Sequence, residues 1–531
     1  MTDGREWLLH PRQRWQARRR HADMLREIDE YRRERDPAEN AESAPPASEE
    51  IRLHAVWGAE SYPLSFIDVL LDAVRRLTAQ GRYGPWEPPA ERIEQSLRLG
   101  GSGWIPLGPV VSPGSRFYAH ASPIEVVLPR YVEYGHASVH YSVPSHAVLV
   151  VTFVLDDAGS RRVEESLRAT YHSYATGHGN WTTIHDPANQ KREAVRAKRA
   201  EQLAELATFF AREAPGLFAS DGRQVPSIEF WTTREREPFE EDQEEGRRRS
   251  LNDFIQLLGW ITWTNIWRGP HGLTLKEAPL TGDDFWSSPN LQLVAREAEL
   301  FAGKDLEMYG GRSREAYVNR LKDSIDPLAA VLALTETFRF YDAELVSSRR
   351  RLREAQSRSL RRRVKATIAV QNRLLRQHAD VDAIARGVQQ WKDDLLPLLR
   401  HTTIDFERWL PMSLRDSNAR DQAAGSRTAR PKRGRARLTR RSEEPTQVES
   451  TEARRRRDPP RTWLETQARE IRVRAEHVVG GSREISDVVR ASSETTSAQA
   501  SLRLQRQVAL LTWALLIIGA AMLIVVIVTA K

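Results

Sequence analysis

The sequence predicts an α+β domain followed by a long-helix and coiled-coil region and one C-terminal transmembrane helix. Three observations predict it. Between residues 51 and 285, β-branched and aromatic runs bounded by Gly, Pro and Ser alternate with amphipathic helical patterns. Residues 462–507 repeat large apolar side chains every seven positions. The run from Val508 to Ala530 carries no charged side chain. As a helix it would cover about 34 Å, against a hydrocarbon core of about 30 Å.

The chain has 531 residues, with 80 basic and 72 acidic side chains and a formal net charge of +8. That length suits roughly three or four structural units. A composition of 40% hydrophobic and 29% charged residues excludes wholesale disorder, a polytopic membrane protein and a collagen-like fibre. There is no cysteine. Disulfide scaffolds, thiolate zinc sites, iron–sulfur clusters and cysteine nucleophiles are therefore excluded.

Residues 1–50 read as a charged N-terminal helix and a linker, with Trp7, Trp15, Leu25 and Ile28 spaced for an amphipathic helix and a polar, proline-containing stretch over 37–50. Residues 51–285 form the α+β globular domain. IRLHAVW at 51–57 predicts a strand, and Ser61 and Pro63 precede a helix whose Phe66, Leu70, Val74 and Leu77 share one face. GGSGW at 100–104 predicts a loop. Strands follow over 124–134, 136–143 and 146–155, separated by Gly135 and by Pro144-Ser145, so short antiparallel connections are expected. Helices are expected over 160–171 and 187–212, and SIEFWTT at 227–233 predicts another strand. The apolar run 251–267 contains Asn252, Asp253 and Gln256 and is too short for a span, so a buried helix running into a strand is expected.

Strand signals stop after residue 285, and residues 286–410 read as a helical region with Ile325, Leu328 and Leu332 at helical spacing. Residues 411–461 combine five prolines with many arginines and few large apolar side chains, which predicts a disordered basic linker. Residues 462–507 predict a stalk helix. Leu464, Ile471, Val478 and Ile485 recur every seven, with Ala468, Ala475, Ser482 and Val489 four residues after each. This seam is the candidate surface for a homo-oligomer. Residues 508–530 are then the transmembrane helix. Arg490, Arg503 and Arg506 precede it and only Lys531 follows, so the positive-inside rule predicts a single-pass protein of the bacterial cell membrane with its N-terminal bulk cytoplasmic.

Seven of the 14 histidines lie between 120 and 185. Without cysteine, a metal would need histidines and carboxylates. His136 and His140 sit four apart on a predicted strand, too far for both rings to reach one ion. Convergence from two strands makes His136 and His146 the metal candidates. No nucleophile elbow, P-loop, HExxH, EF-hand loop or dinucleotide fingerprint occurs. No catalytic residue and no cofactor is assigned. The basic stretches 347–365 and 427–441 lack interleaved aromatic residues, so nucleic acid is not an expected partner.

The order of units, and the run SLRLQRQVALLTWALLIIG at 501–519, resembles CorA-like divalent-cation channels over residues 290–530. The resemblance implies a long-helix stalk entering the membrane and a homo-oligomeric pore. The family has a second span and a Gly-Met-Asn signature, and this chain has neither, so no site residue carries over. The residues themselves lead first to a non-enzymatic, membrane-anchored module that binds a ligand or protein partner and oligomerises through its stalk. A divergent CorA-like pore and a membrane-tethered enzyme are the alternatives.

Overall fold

In the computed structural model, the apolar runs 51–63 and 146–155 become the centre of a ten-stranded mixed sheet. The structure describes residues 11–79, 87–100, 102–115, 123–178, 181–235, 258, 266–278, 289–300, 313–356, 377, 379–388, 404, 406–408 and 462–529. The chain divides into two compact units, residues 1–336 with 391–469 and residues 337–390 with 470–531.

The first unit opens with α1 (Pro11–Arg33) and α2 (Asp36–Ser43). Then come β1 (Ile51–Pro63), α3 (Ile67–Leu77), α4 (Pro89–Arg98), β2 (Gly103–Val111), β3 (Ile124–Glu125), β4 (Val132–Val143) and β5 (His146–Leu155). Helix α5 (Asp157–Arg168), β6 (Tyr174–His178), β7 (Trp181–His185), α6 (Pro187–Glu213) and α7 (Leu217–Ser220) follow. The remaining strands are β8 (Ser227–Thr233), β9 (Ile266–Arg268), β10 (Thr274–Glu277), β11 (Asn290–Arg296) and β12 (Glu407–Arg408). Helices α8 (Glu297–Leu300), α9 (Arg314–Gln356) and α10 (Trp463–Thr529) complete the described elements.

The strand order is β12-β9-β10-β11-β8-β1-β5-β4-β2-β3, and β6 pairs with β7 in a separate small sheet. Strands β4 and β5 pair antiparallel, as the short connection at Pro144-Ser145 requires; β1 pairs antiparallel with β5 through a distant segment, and β8 and β11 pair parallel. Every position of β5 and β8 is buried. Strands covered on both faces lose the alternation of half-exposed ones. Phe210 of α6 lies against Gly58 on one face of β1, where an added Cβ would meet its ring at 2.8 Å. On the other face the Trp57 indole N–H donates to Asp326 of α9 at 2.8 Å. Helices start where short polar side chains satisfy their free N–H groups: Asp156 accepts from Gly159 N, and Asp186 accepts from Asn189 N ahead of Pro187.

Several segments differ from the sequence-based reading. Residues 36–43, expected within a linker, are helical, because Asp36 accepts the Ser173 backbone N–H and Asn40 exchanges hydrogen bonds with the Tyr171 main chain. The strand expected over 124–134 is broken. Pro129 lacks an N–H for a ladder, and Tyr131 adopts a φ of 66°. Residues 290–296, placed in the helical region, form β11. The heart of the loop at 100–104 gives way to β2 at Gly103. The basic linker 411–461 and most of 251–267 lie outside the described residues.

In the second unit, charged side chains join α9 to α10. Arg339 donates to Glu470 at 2.9 Å, Arg474 approaches Asp342 at 3.3 Å, and Arg349 reaches Glu484 at 2.6 Å. Gly481 lets Leu345 come close, since a Cβ there would stand 3.2 Å from its side chain. The seam residues Ile471 and Val478 are 0% and 1% exposed.

The transmembrane expectation is corrected. Among the described residues no helix is long and apolar enough to cross a membrane. Residues 508–529 are the end of a 67-residue helix that begins at Trp463 and is charged through most of its length. The side chains from Ala520 onward lie outside the described residues. The membrane as a partner through 508–530, the single-pass placement in a bacterial cell membrane and the cytoplasmic orientation all rested on that span, and are withdrawn with it.

Candidate functional site

A cleft of about 390 Å³ opens in the first unit, at the end of the sheet where β1 begins. Four elements wall it. The start of β1 brings Glu50, Arg52 and His54; the first turn of α5 brings Asp157, Ser160 and Arg161. Glu297 comes from α8, and Arg314, Glu315 and Tyr317 come from the first turn of α9. Each side is fixed by local chemistry. The Asp156 carboxylate caps α5 and the Ser313 hydroxyl accepts from Ala316 N at 3.1 Å, so both helices start at the cleft. Arg314 ties α9 down by donating to the Leu155 carbonyl and approaching Asp157 at 3.3 Å and Glu133 at 3.4 Å.

His54 forms part of the cleft wall. Its Nε2 is 2.8 Å from the Thr232 hydroxyl, and its ring lies 5.5 Å from those of Phe230 and Tyr317. Burial, and then the charges of Arg314 and Arg52, pull its pKa down to about 3, so the imidazole is neutral. With Nε2–H donating, the Thr232 hydroxyl is free to donate onward to Glu297 at 3.5 Å. Glu297 is pushed above the ordinary glutamate value by burial and by the charge of Glu50. Glu50 itself meets Arg52 at 3.4 Å and Arg234 at 3.7 Å. Arg161 and Glu315 form no ion pair or hydrogen bond among the described residues. The cleft therefore carries charges of both signs, some neutralised within the chain and some not.

A second polar group lies between the sheet and α9. Asp326 accepts from Trp57 Nε1 at 2.8 Å, from the Ser138 hydroxyl at 2.9 Å and from the Thr152 hydroxyl at 3.2 Å. Burial pushes its carboxyl up to about 6 in spite of those donors. Ser138 is also 3.0 Å from His140 Nε2. A third group, on the α6 side, pairs Arg199 with Glu229 at 2.9 Å, with Gln292 donating to Glu229 at 3.3 Å. All three of its side chains are within 2% of complete burial. Neither group lines the cleft, and both read as hydrogen-bonded polar cores.

The sequence candidates fall elsewhere. His136 is half-buried on β4, its pKa drawn down to about 4 by partial burial and the Lys322 charge. His146 bonds the Ser61 hydroxyl at 2.8 Å. The register pairs His136 with Thr152 and His146 with Val143, so the two histidines stand about 20 Å apart along the sheet. Among the described residues no group of three or more His, Asp or Glu side chains is placed to hold a metal. Of the seam, Leu464, Ile471 and Val478 are buried within this chain. The side chain of Ile485 lies outside the described residues. His54, Glu297, Arg161 and Glu315 were not singled out by sequence reasoning. Each is an isolated polar residue in its own segment, and no spacing rule connects them.

Comparison with family models, with curated proteins and with solved structures gives no match to this chain. None of the three speaks for or against the CorA-like resemblance, and it carries no argument below.

Proposed function

We propose that the α+β unit is a non-enzymatic module that binds a small, charged solute in the cleft between β1, α5, α8 and α9. The observation that carries this reading is a cleft of about 390 Å³, a ligand-sized volume, whose wall holds the uncompensated charges of Arg161 and Glu315. A charged side chain facing a concave surface gains most from a ligand that shares its low-dielectric setting. Binding fits the site better than catalysis. A general base must reach the solute, but His54 commits Nε2 to Thr232 and its Nδ1 is enclosed.

The test is thermal unfolding of the full-length chain with amino acids, dicarboxylates, nucleoside monophosphates and sugar phosphates. A ligand of the native state raises Tm in step with its concentration. At least one class is expected to do so, with the shift reduced in Arg161→Gln. If none of these classes moves Tm, the reading fails.

A further inference from the structure

The charges around the cleft specify more than its size. Arg52 is engaged by Glu50, and Arg314 by Asp157 and Glu133. Among the described residues of the cleft wall, those left without an ion pair are one cation, Arg161, and two carboxylates, Glu297 and Glu315. The open carboxylates come from different elements, α8 and α9, and Arg161 stands on a third, α5. Glu297 is flanked by Glu50 across the β1 end of the cleft, and burial with the Glu50 charge outweighs the nearby cations Arg234 and Arg52. Its one hydrogen bond among the described residues is the long one from Thr232, at 3.5 Å, so its carboxylate retains acceptor capacity. Ser160, next to Arg161, adds a hydroxyl on the same wall.

We infer that the solute is a basic amino-carboxylate, with its carboxylate on Arg161 and Ser160 and its cationic groups toward Glu297 and Glu315. This rests on the small-solute reading of the cleft and names the ligand class. A neutral or anionic solute of the same size would leave both carboxylates of the cleft wall without a cation from the solute. The Arg161 guanidinium can donate paired hydrogen bonds to a carboxylate, which a simple point charge does not provide.

The experiment is isothermal titration calorimetry of the full-length chain at low salt. L-lysine and L-arginine are the probes, and L-norleucine, L-glutamate and n-butylamine are the comparisons. Lysine or arginine is expected to bind at least tenfold more tightly than each comparison. Glu297→Gln and Glu315→Gln should each weaken lysine severalfold, and Arg161→Gln should erase the preference for lysine over butylamine. Glu315 is at the solvent-side start of a helix, so Glu315→Gln keeps the test valid even if Glu297→Gln lowers the Tm. Tighter binding of glutamate or norleucine overturns the inference and leaves the small-solute reading standing. Absence of binding by all five probes overturns it too, and the wider thermal panel then decides the broader reading separately.

Discussion

Lowering the pH from 6.5 to 5 should destabilise the first unit, and six groups shifted by burial set the scale of the loss. His54, His140 and His146 have pKa values drawn down to about 3 by burial, and His136 to about 4, from an ordinary 6.5. For each, the folded pKa is below the unfolded one. The stability they contribute is present above pH 6.5 and is lost as the pH falls, because the unfolded chain takes up protons that the folded one refuses. Two acids act the other way. Burial pushes Asp326 up to about 6 and Glu60 up to about 8, the latter against three backbone N–H donors, so their folded forms bind the extra proton. Their contribution is present at low pH and is lost as pH rises through those values. Over the interval the histidines together cost about 6 kcal/mol and the two acids return about 3, a net loss of about 3 kcal/mol. Against a domain stability of roughly 5–15 kcal/mol this is large. From pH 6.5 to 8 the same groups nearly cancel, and the profile should be flat. Urea unfolding followed by tryptophan fluorescence at pH 8, 6.5, 5.5 and 5 measures it. His146→Asn should shrink the acid loss by about 1–2 kcal/mol, the share of one histidine. A stability that holds constant or rises between pH 6.5 and 5 would refute the reasoning.

Three further outcomes are expected. Ile471→Asp puts a charge where the side chain is 0% exposed and should cost several kcal/mol. Because α9 of the same chain adjoins this part of α10, the loss should not depend on protein concentration; equilibrium unfolding at two concentrations tenfold apart decides it, and a loss that shrinks at the higher one points to a seam between chains. Arg199→Met strands the buried Glu229 carboxylate and should cost about 3–5 kcal/mol, with Arg199→Met combined with Glu229→Gln recovering part of it in the same urea assay. Gly58→Ala drives a Cβ to 2.8 Å from the Phe210 ring and should lower stability by about 1–3 kcal/mol, readable as a fall in Tm; an unchanged Tm would show that α6 can shift freely.

Much of the sheet is legible in the order of residues alone. SIEFWTT coincides with β8, and HAVLVVTFVL with β5, because β-branched runs bounded by Pro, Gly and Asp carry their own limits. The helix at 187–213 is equally clear, with Asp186 and Pro187 marking its start. Strand β11 is not. NLQLVAR mixes three polar side chains with apolar ones, and its buried Gln292 donates to Glu229 on the parallel neighbour and to the Leu258 carbonyl. The cleft is illegible for a similar reason. Residues 50–54, 157–161, 297 and 314–317 meet only after the sheet has formed, and nothing in any one segment encodes the others.

By itself, the sequence determined which stretches would be buried and with what period. Leu464, Ile471 and Val478 announced a seam at seven-residue spacing, and the structure buries all three. What covers each buried face was decided by tertiary structure. The seam next to Gly481 meets Leu345 of the same chain, and the metal candidates His136 and His146 stand apart along a sheet, His146 bonded to the Ser61 hydroxyl. Hydropathy likewise marked residues 508–530 as apolar, but the described part of that run, at the end of a 67-residue helix, is not long and apolar enough for a membrane crossing. The physical reason is common to all three cases. Periodicity and hydropathy report that a surface avoids water, and that free energy depends on area removed from solvent and hardly at all on the identity of what removes it. Identity is set by register, capping and charge pairing between distant segments, and these exist only in the folded chain.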